Sequence, residues 1–158
     1  MKGKIFVLLG ITAATLASAA EPEVPYPTDY RDWYHVKSMV IEEGHPLFGS
    51  FGGIHHIYAN EKALEGYEGE SFPDGAVIIF DLLEAVQDGN AVTEGTRKVV
   101  GVMHKDSAKF AATGGWGFEG FGGGDPANRV VGANAASACF ACHEPQKDQD
   151  YTFSRLRD

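Results

Sequence analysis

AVIIFDLLE, residues 76–84, decides the class of fold. Val77, Ile78 and Ile79 are β-branched and Phe80 is aromatic, a composition that suits a buried strand. Phe72-Pro73-Asp74-Gly75 stands just before it and is turn chemistry. Working outward, RKVVGVMHK (97–105) reads as a further strand and IHHIYA (54–59) as another. Met39-Val40-Ile41 can start one more. Tyr30, Trp33, Val36 and Val40 fall on a helical stripe, with Thr28 or Asp29 as cap, so the chain from Asp29 reads first as helix and then as strand. Between the strands, residues 44–53 form a glycine-rich loop. Asn60 caps a short helix over EKALEGY, and residues 87–95 contain a loop with Asp88-Gly89-Asn90. Residues 107–112 suit a single helical turn, and residues 133–138 a helix. Trp116, Phe118 and Phe121 form an aromatic run. The expectation is an α+β domain: an antiparallel sheet of four or five strands flanked by a few helices.

The chain is 158 residues long and opens MKGKIFVLLGITAATLASAA. Two lysines, an apolar stretch and small residues at 17–20 are the pattern of a secretory signal peptide. The apolar run is too short to span a bilayer comfortably. The expected division is residues 1–20 as leader and 21–158 as one exported, periplasmic domain, with no membrane span after cleavage. Loss of Lys2 and Lys4 would take the net charge from −9 to −11. Such a surface repels nucleic acid and anionic lipid, which leaves small molecules or cationic proteins as partners.

ACFACHE, residues 138–144, holds the only two cysteines, Cys139 and Cys142, with His143 directly after. A disulfide across two intervening residues closes a tiny loop and stabilises little. A thioredoxin-like pair belongs near the start of a helix in a βαβ unit, which nothing here suggests. Structural zinc wants four ligands, and no second cluster stands at ligand spacing. Cys-x-x-Cys-His is the attachment pattern of c-type haem. Two thiols form thioethers with the vinyl groups, and His143 becomes the proximal iron ligand. The motif therefore implies one covalent haem c, with its attachment site at the C-terminal end of the chain.

What faces the iron opposite His143 then sets the chemistry. His55 and His56 are adjacent, so on a strand they point to opposite faces. One of them, with His55 the candidate, can act above the haem as a hydrogen-bond donor or base; the alternative is a satisfied core histidine. Phe51 and Phe72 are the preferred lining pair, although any single aromatic is more often core. Glu119 lies inside the aromatic run. It is a proton acceptor if it faces the haem and a surface charge if it does not. Met39 and Met103 suit core filling.

Several features in order resemble the cytochrome P-460 and cytochrome c′-beta family. They are Tyr30-Arg31-Asp32-Trp33, Ile57-Tyr58, Phe72-Pro73-Asp74-Gly75, Lys105-Asp106, Gly114 to Phe118, the haem motif, and Asp150 to Phe153. The resemblance implies a small β-sheet fold, usually dimeric, with one covalent haem and an open iron site. Cytochrome P-460 oxidises hydroxylamine, binds nitric oxide and carries an extra lysine bond to its haem. The c′-beta relatives lack that bond and bind small gases. The cross-linking lysine is expected shortly before the Phe-x-Asp-Gly turn, where Glu68 and Gly69 stand here; the nearest lysine is Lys62. The resemblance thus implies a protein that binds or oxidises nitric oxide, hydroxylamine or other small ligands, with a small acceptor cytochrome as partner and a homodimeric state. The alternative is a periplasmic electron carrier with a six-coordinate haem, and a third class is a haem-free redox or metal protein.

Overall fold

The computed structural model describes residues 23–157; the expected leader lies outside them. Five strands form one antiparallel sheet in sequence order: β1 (Tyr34–Ile41), β2 (Gly53–Ala59), β3 (Val77–Asp88), β4 (Ala91–Lys105) and β5 (Trp116–Gly122). Helix α1 (Phe48–Phe51) joins β1 to β2, and α2 (Glu61–Glu68) joins β2 to β3. Both ends of the α+β expectation, a sheet and a few flanking helices, are therefore met.

The 76–84 run lies at the centre of the sheet as part of β3, paired with β2 on one side and β4 on the other. Its side chains alternate between two apolar layers. Ile78 and Phe80 join Val36, Ile57, Ala59, Ala63, Phe72, Ala76, Trp116 and Phe118 on one face. Ile79 joins Val24, Tyr30, Val100, Val102, Phe110 and Phe121 on the other. A central strand buried on both faces reads as a continuous apolar run rather than an alternating one.

Several connections differ from the sequence reading. The helical stripe from Tyr30 shrinks to one 3-10 turn, Tyr30–Asp32, because Tyr34–Ile41 pairs along β2. The loop expected at Asp88-Gly89-Asn90 is there, tightened to a turn at Gly89-Asn90 between two long strands, with Gly89 at φ 61°. Glycine reaches that left-handed backbone without a Cβ clash. The glycine-rich 44–53 stretch contains helix α1. The helical turn expected at 107–112 is a three-residue 3-10 turn at its far end, Ala111–Thr113. The segment before the haem motif is a 3-10 turn, Gly132–Asn134, and then a π-type turn, Ala136–Phe140, not a regular α-helix. Asn60 caps α2 as expected: its side chain accepts from the Ala63 N–H.

Candidate functional site

The Ala141–His143 turn follows Ala136–Phe140 without a break in helical backbone. Cys139 and Cys142 are three residues apart on that backbone, so their thiols share one side of it. Both are free. Cys139 and Phe140 pack on the apolar layer that contains Phe118, Trp116 and Ile78. Burial, with Glu119 and Cys142 adding to it, pushes the Cys139 thiol up to about 11. The thiol is therefore neutral at pH 7.

His143 stands against the sheet, its ring 5.0 Å from that of Phe118 and 4.9 Å from that of Phe153. Its Nδ1 lies 2.8 Å from the Tyr151 carbonyl oxygen. A carbonyl only accepts, so Nδ1 carries the proton and the in-plane lone pair is on Nε2. Burial holds the imidazole below its ordinary pKa, opposed by the bond to Tyr151, so the ring is neutral at pH 7. Fixing one ring nitrogen on a carbonyl to present the other is how metal-binding histidines are oriented.

The carbonyl that orients His143 is itself anchored. Asp150 and Tyr151 both have positive φ, 46° and 64°, an uncommon backbone for non-glycine residues. Lys105 holds them there: its buried ammonium lies 2.7 Å and 2.9 Å from the two Asp150 carboxylate oxygens. Lys105 also donates to the Gly114 carbonyl at 3.1 Å. The Asp150 carboxylate accepts the Phe72 N–H at 2.8 Å, and its carbonyl accepts the Trp116 indole N–H at 3.0 Å. In the sequence Lys105 and Asp150 appear only within separate motifs, and with 45 residues between them nothing local signals that they pair.

His55 is the inward member of the histidine pair, on the same side of β2 as Ile57 and Ala59. It is 6% exposed, its ring lies 4.5 Å from Phe80, and Phe51 stacks edge-on to Phe80 at 5.6 Å. Its Nδ1 is buried without a hydrogen-bond partner. Burial first, then His56 and Lys37, lowers its pKa to about 4. Phe80, Met103, Cys139 and Phe140 all pack on the same layer. His55 and Phe51 therefore share a face of the sheet with the cysteines.

The other expected site residues have different partners, although Phe72 shares the apolar layer with Cys139. Phe72 does not join Phe51; it is buried between Tyr67 and Trp116, with centroids at 4.9 Å and 5.4 Å. Glu119 is neither a surface charge nor aimed at the haem motif. Phe118 points to the cysteine layer, and the next residue on a strand points away. Glu119 is 5% exposed and accepts from the backbone N–H of Gly120, Val131 and Gly132 and from Arg129. It fixes the path of the chain into the haem motif. Lys62 pairs with Glu65 at 2.8 Å on α2, more than half exposed, beside a cleft of about 560 Å³ lined by Trp33, Tyr34 and Asn60.

A haem fits this donor set. One neutral imidazole and two unbridged thiols stand beside an apolar layer that contains an unpartnered buried nitrogen. Among the described residues, no group of three or more His, Cys, Asp or Glu is placed to hold a bare ion. A family model for cytochrome P460 matches residues 27–154. The chain belongs to the cytochrome P460 family. That makes it a haem cytochrome and accounts for the cysteine pair beside an oriented imidazole. Comparison with curated proteins gave no match.

Proposed function

We propose that this cytochrome P460 family member is an exported c-type cytochrome that binds small nitrogenous ligands, nitric oxide and hydroxylamine first, at a haem open on one side. One haem is attached through Cys139 and Cys142, with His143 as its proximal ligand. Bound there, it supplies a redox-active iron with one exchangeable coordination position. His143 offers its Nε2 lone pair while Tyr151 holds Nδ1. Phe51, itself exposed, and Phe80 give the ligand side an apolar wall. His55 serves the ligand there.

The observation that carries this reading is the orphaned His55 Nδ1. A buried polar atom without a partner costs roughly 1–3 kcal/mol. A small polar ligand in the apolar layer would satisfy it. His55 is neutral at pH 7 and can either donate or accept one hydrogen bond. Lys62, salt-bridged to Glu65, and Lys105, held by Asp150, favour the branch without a lysine–haem bond. We propose also that the leader at 1–20 is removed, that the mature domain starts near residue 21 in the periplasm, and that it pairs as a homodimer. Exposed Tyr34, Met39 and Val40 on the edge strand β1 support a protein contact there. A small acceptor cytochrome is the partner if turnover occurs.

Production beside a cytochrome assembly system, followed by intact mass and absorption spectra, tests the reading. A mass raised by one haem and a high-spin spectrum that changes on adding nitric oxide are expected, with the change altered in His55→Leu. A colourless product would remove the thioether assignment, and a low-spin spectrum at rest would select the electron carrier. A haem peptide bearing lysine would restore the cross-linked enzyme branch.

A further inference from the structure

The second histidine of the pair lies on the opposite face of the sheet and belongs to a different cluster. His56 Nδ1 is 2.6 Å from the Ser38 hydroxyl oxygen, and His35 Nε2 is 2.9 Å from the same oxygen. His56 Nε2 is 2.9 Å from a Glu94 carboxylate oxygen. The two imidazole rings lie 5.8 Å apart and are tilted by 60°.

Local backbone irregularity makes this convergence possible. His35 and Ser38 are three apart, so on a straight strand they would point to opposite faces. The β1–β2 register shifts between His35 and Lys37: His35 faces Tyr58, and Ser38 faces His56. The extra residue turns His35 onto the face that Ser38 and His56 occupy. Bulges that re-aim a side chain in this way recur next to functional sites.

We propose that His35 Nε2 and His56 Nδ1 form a surface site for a divalent transition-metal ion, with Cu²⁺ bound most strongly. Both nitrogens already aim at one point, the Ser38 oxygen; its single proton goes to His56 Nδ1, so His35 Nε2 donates there and gives up that proton, to its own Nδ1 or to solvent, as a metal enters. Metal–imidazole bonds are about 2.0–2.1 Å, so each ring has to close by less than about 1 Å as the hydroxyl yields. Glu94 only accepts, so His56 Nε2 carries the proton and Nδ1 carries the lone pair. A carboxylate behind a metal-binding imidazole orients the ring and raises its basicity. Imidazole nitrogen suits copper, nickel and zinc, and copper leads that order. His35 and His56 are partly exposed and Ser38 is exposed, so solvent reaches the site and water completes the coordination shell. The net charge of −9 attracts cations to the surface. Bound metal would tie the edge strand β1 to β2 on the face away from Cys139.

Titration of the haem-loaded protein with Cu²⁺, followed by electron paramagnetic resonance, tests the site. One equivalent is expected to give a cupric signal, separate from the ferric haem, split by two imidazole nitrogens. Both His35→Ala and His56→Ala should lose that two-nitrogen signal while their haem absorption stays unchanged. Ser38→Ala should keep it, and Glu94→Gln should weaken binding about tenfold. No bound copper, or the same two-nitrogen signal in either histidine variant, overturns the proposal. Haem attachment plays no part in the result, so failure here is separable from failure of the proposed function.

Discussion

Replacing Lys105 by Met would leave the Asp150 carboxylate without its counter-charge. Both side chains are about nine-tenths buried, at 9% and 11% exposure, with nitrogen and oxygen 2.7 Å apart. At an effective dielectric of about 20, unit charges at that separation attract by about 6 kcal/mol. Much of that is offset by the cost of taking both ions out of water. The cost of breaking the pair from one side is therefore the better guide, about 3–5 kcal/mol. Asp150 would keep the Phe72 N–H, which softens the loss and puts the expectation near 3 kcal/mol. The assay is urea denaturation of the haem-loaded protein, read as a lowered midpoint at unchanged slope. Lys105→Met/Asp150→Asn removes the stranded charge and should be more stable than Lys105→Met alone by about 1–2 kcal/mol. A single variant that costs under about 1 kcal/mol, or a double variant less stable than the single, would refute the reasoning. Because Asp150 precedes the Tyr151 carbonyl that fixes His143, the single variant should also broaden the haem absorption band.

Three further outcomes follow from the same geometry. His55 is neutral when folded, with a pKa near 4 against 6.5 for the free group, so the unfolded chain takes up the proton first. Stability is then fully present above pH 6.5 and falls as pH drops towards 4, by no more than about 3 kcal/mol; His55→Phe should flatten that slope in denaturation series across pH. Glu119→Gln leaves Arg129 with Glu23 as its remaining carboxylate and weakens three backbone bonds. It should cost about 1–3 kcal/mol in denaturant while leaving ligand affinity within about twofold, whereas a proton-accepting role predicts the reverse. Asn60→Ala removes the acceptor for the Ala63 and Val77 N–H groups and the donor to the Gly75 carbonyl, and should lower stability by about 1–2 kcal/mol in thermal melts.

The sequence by itself carried what is local. Cys139, Cys142 and His143 are adjacent in the chain, so their shared chemistry is read from spacing alone. β-Branched residues at 77–79 declared a central strand, and Asn60 declared a helix cap, because both signals act within a few residues. The adjacency of His55 and His56 required opposite faces, although alternation alone did not say which face held the cysteines. Tertiary structure decided the rest. Phe51 and Phe72 look alike in sequence, yet Phe51 meets Phe80 while Phe72 is sealed between Tyr67 and Trp116. Glu119 became a buried backbone anchor only because the 129–132 segment returns along β5. Lys105 met Asp150, and His35 met His56, across a long sequence gap and across a bulge respectively. Long-range pairing depends on strand register and on how the chain closes over the sheet, which a one-residue slip would reverse.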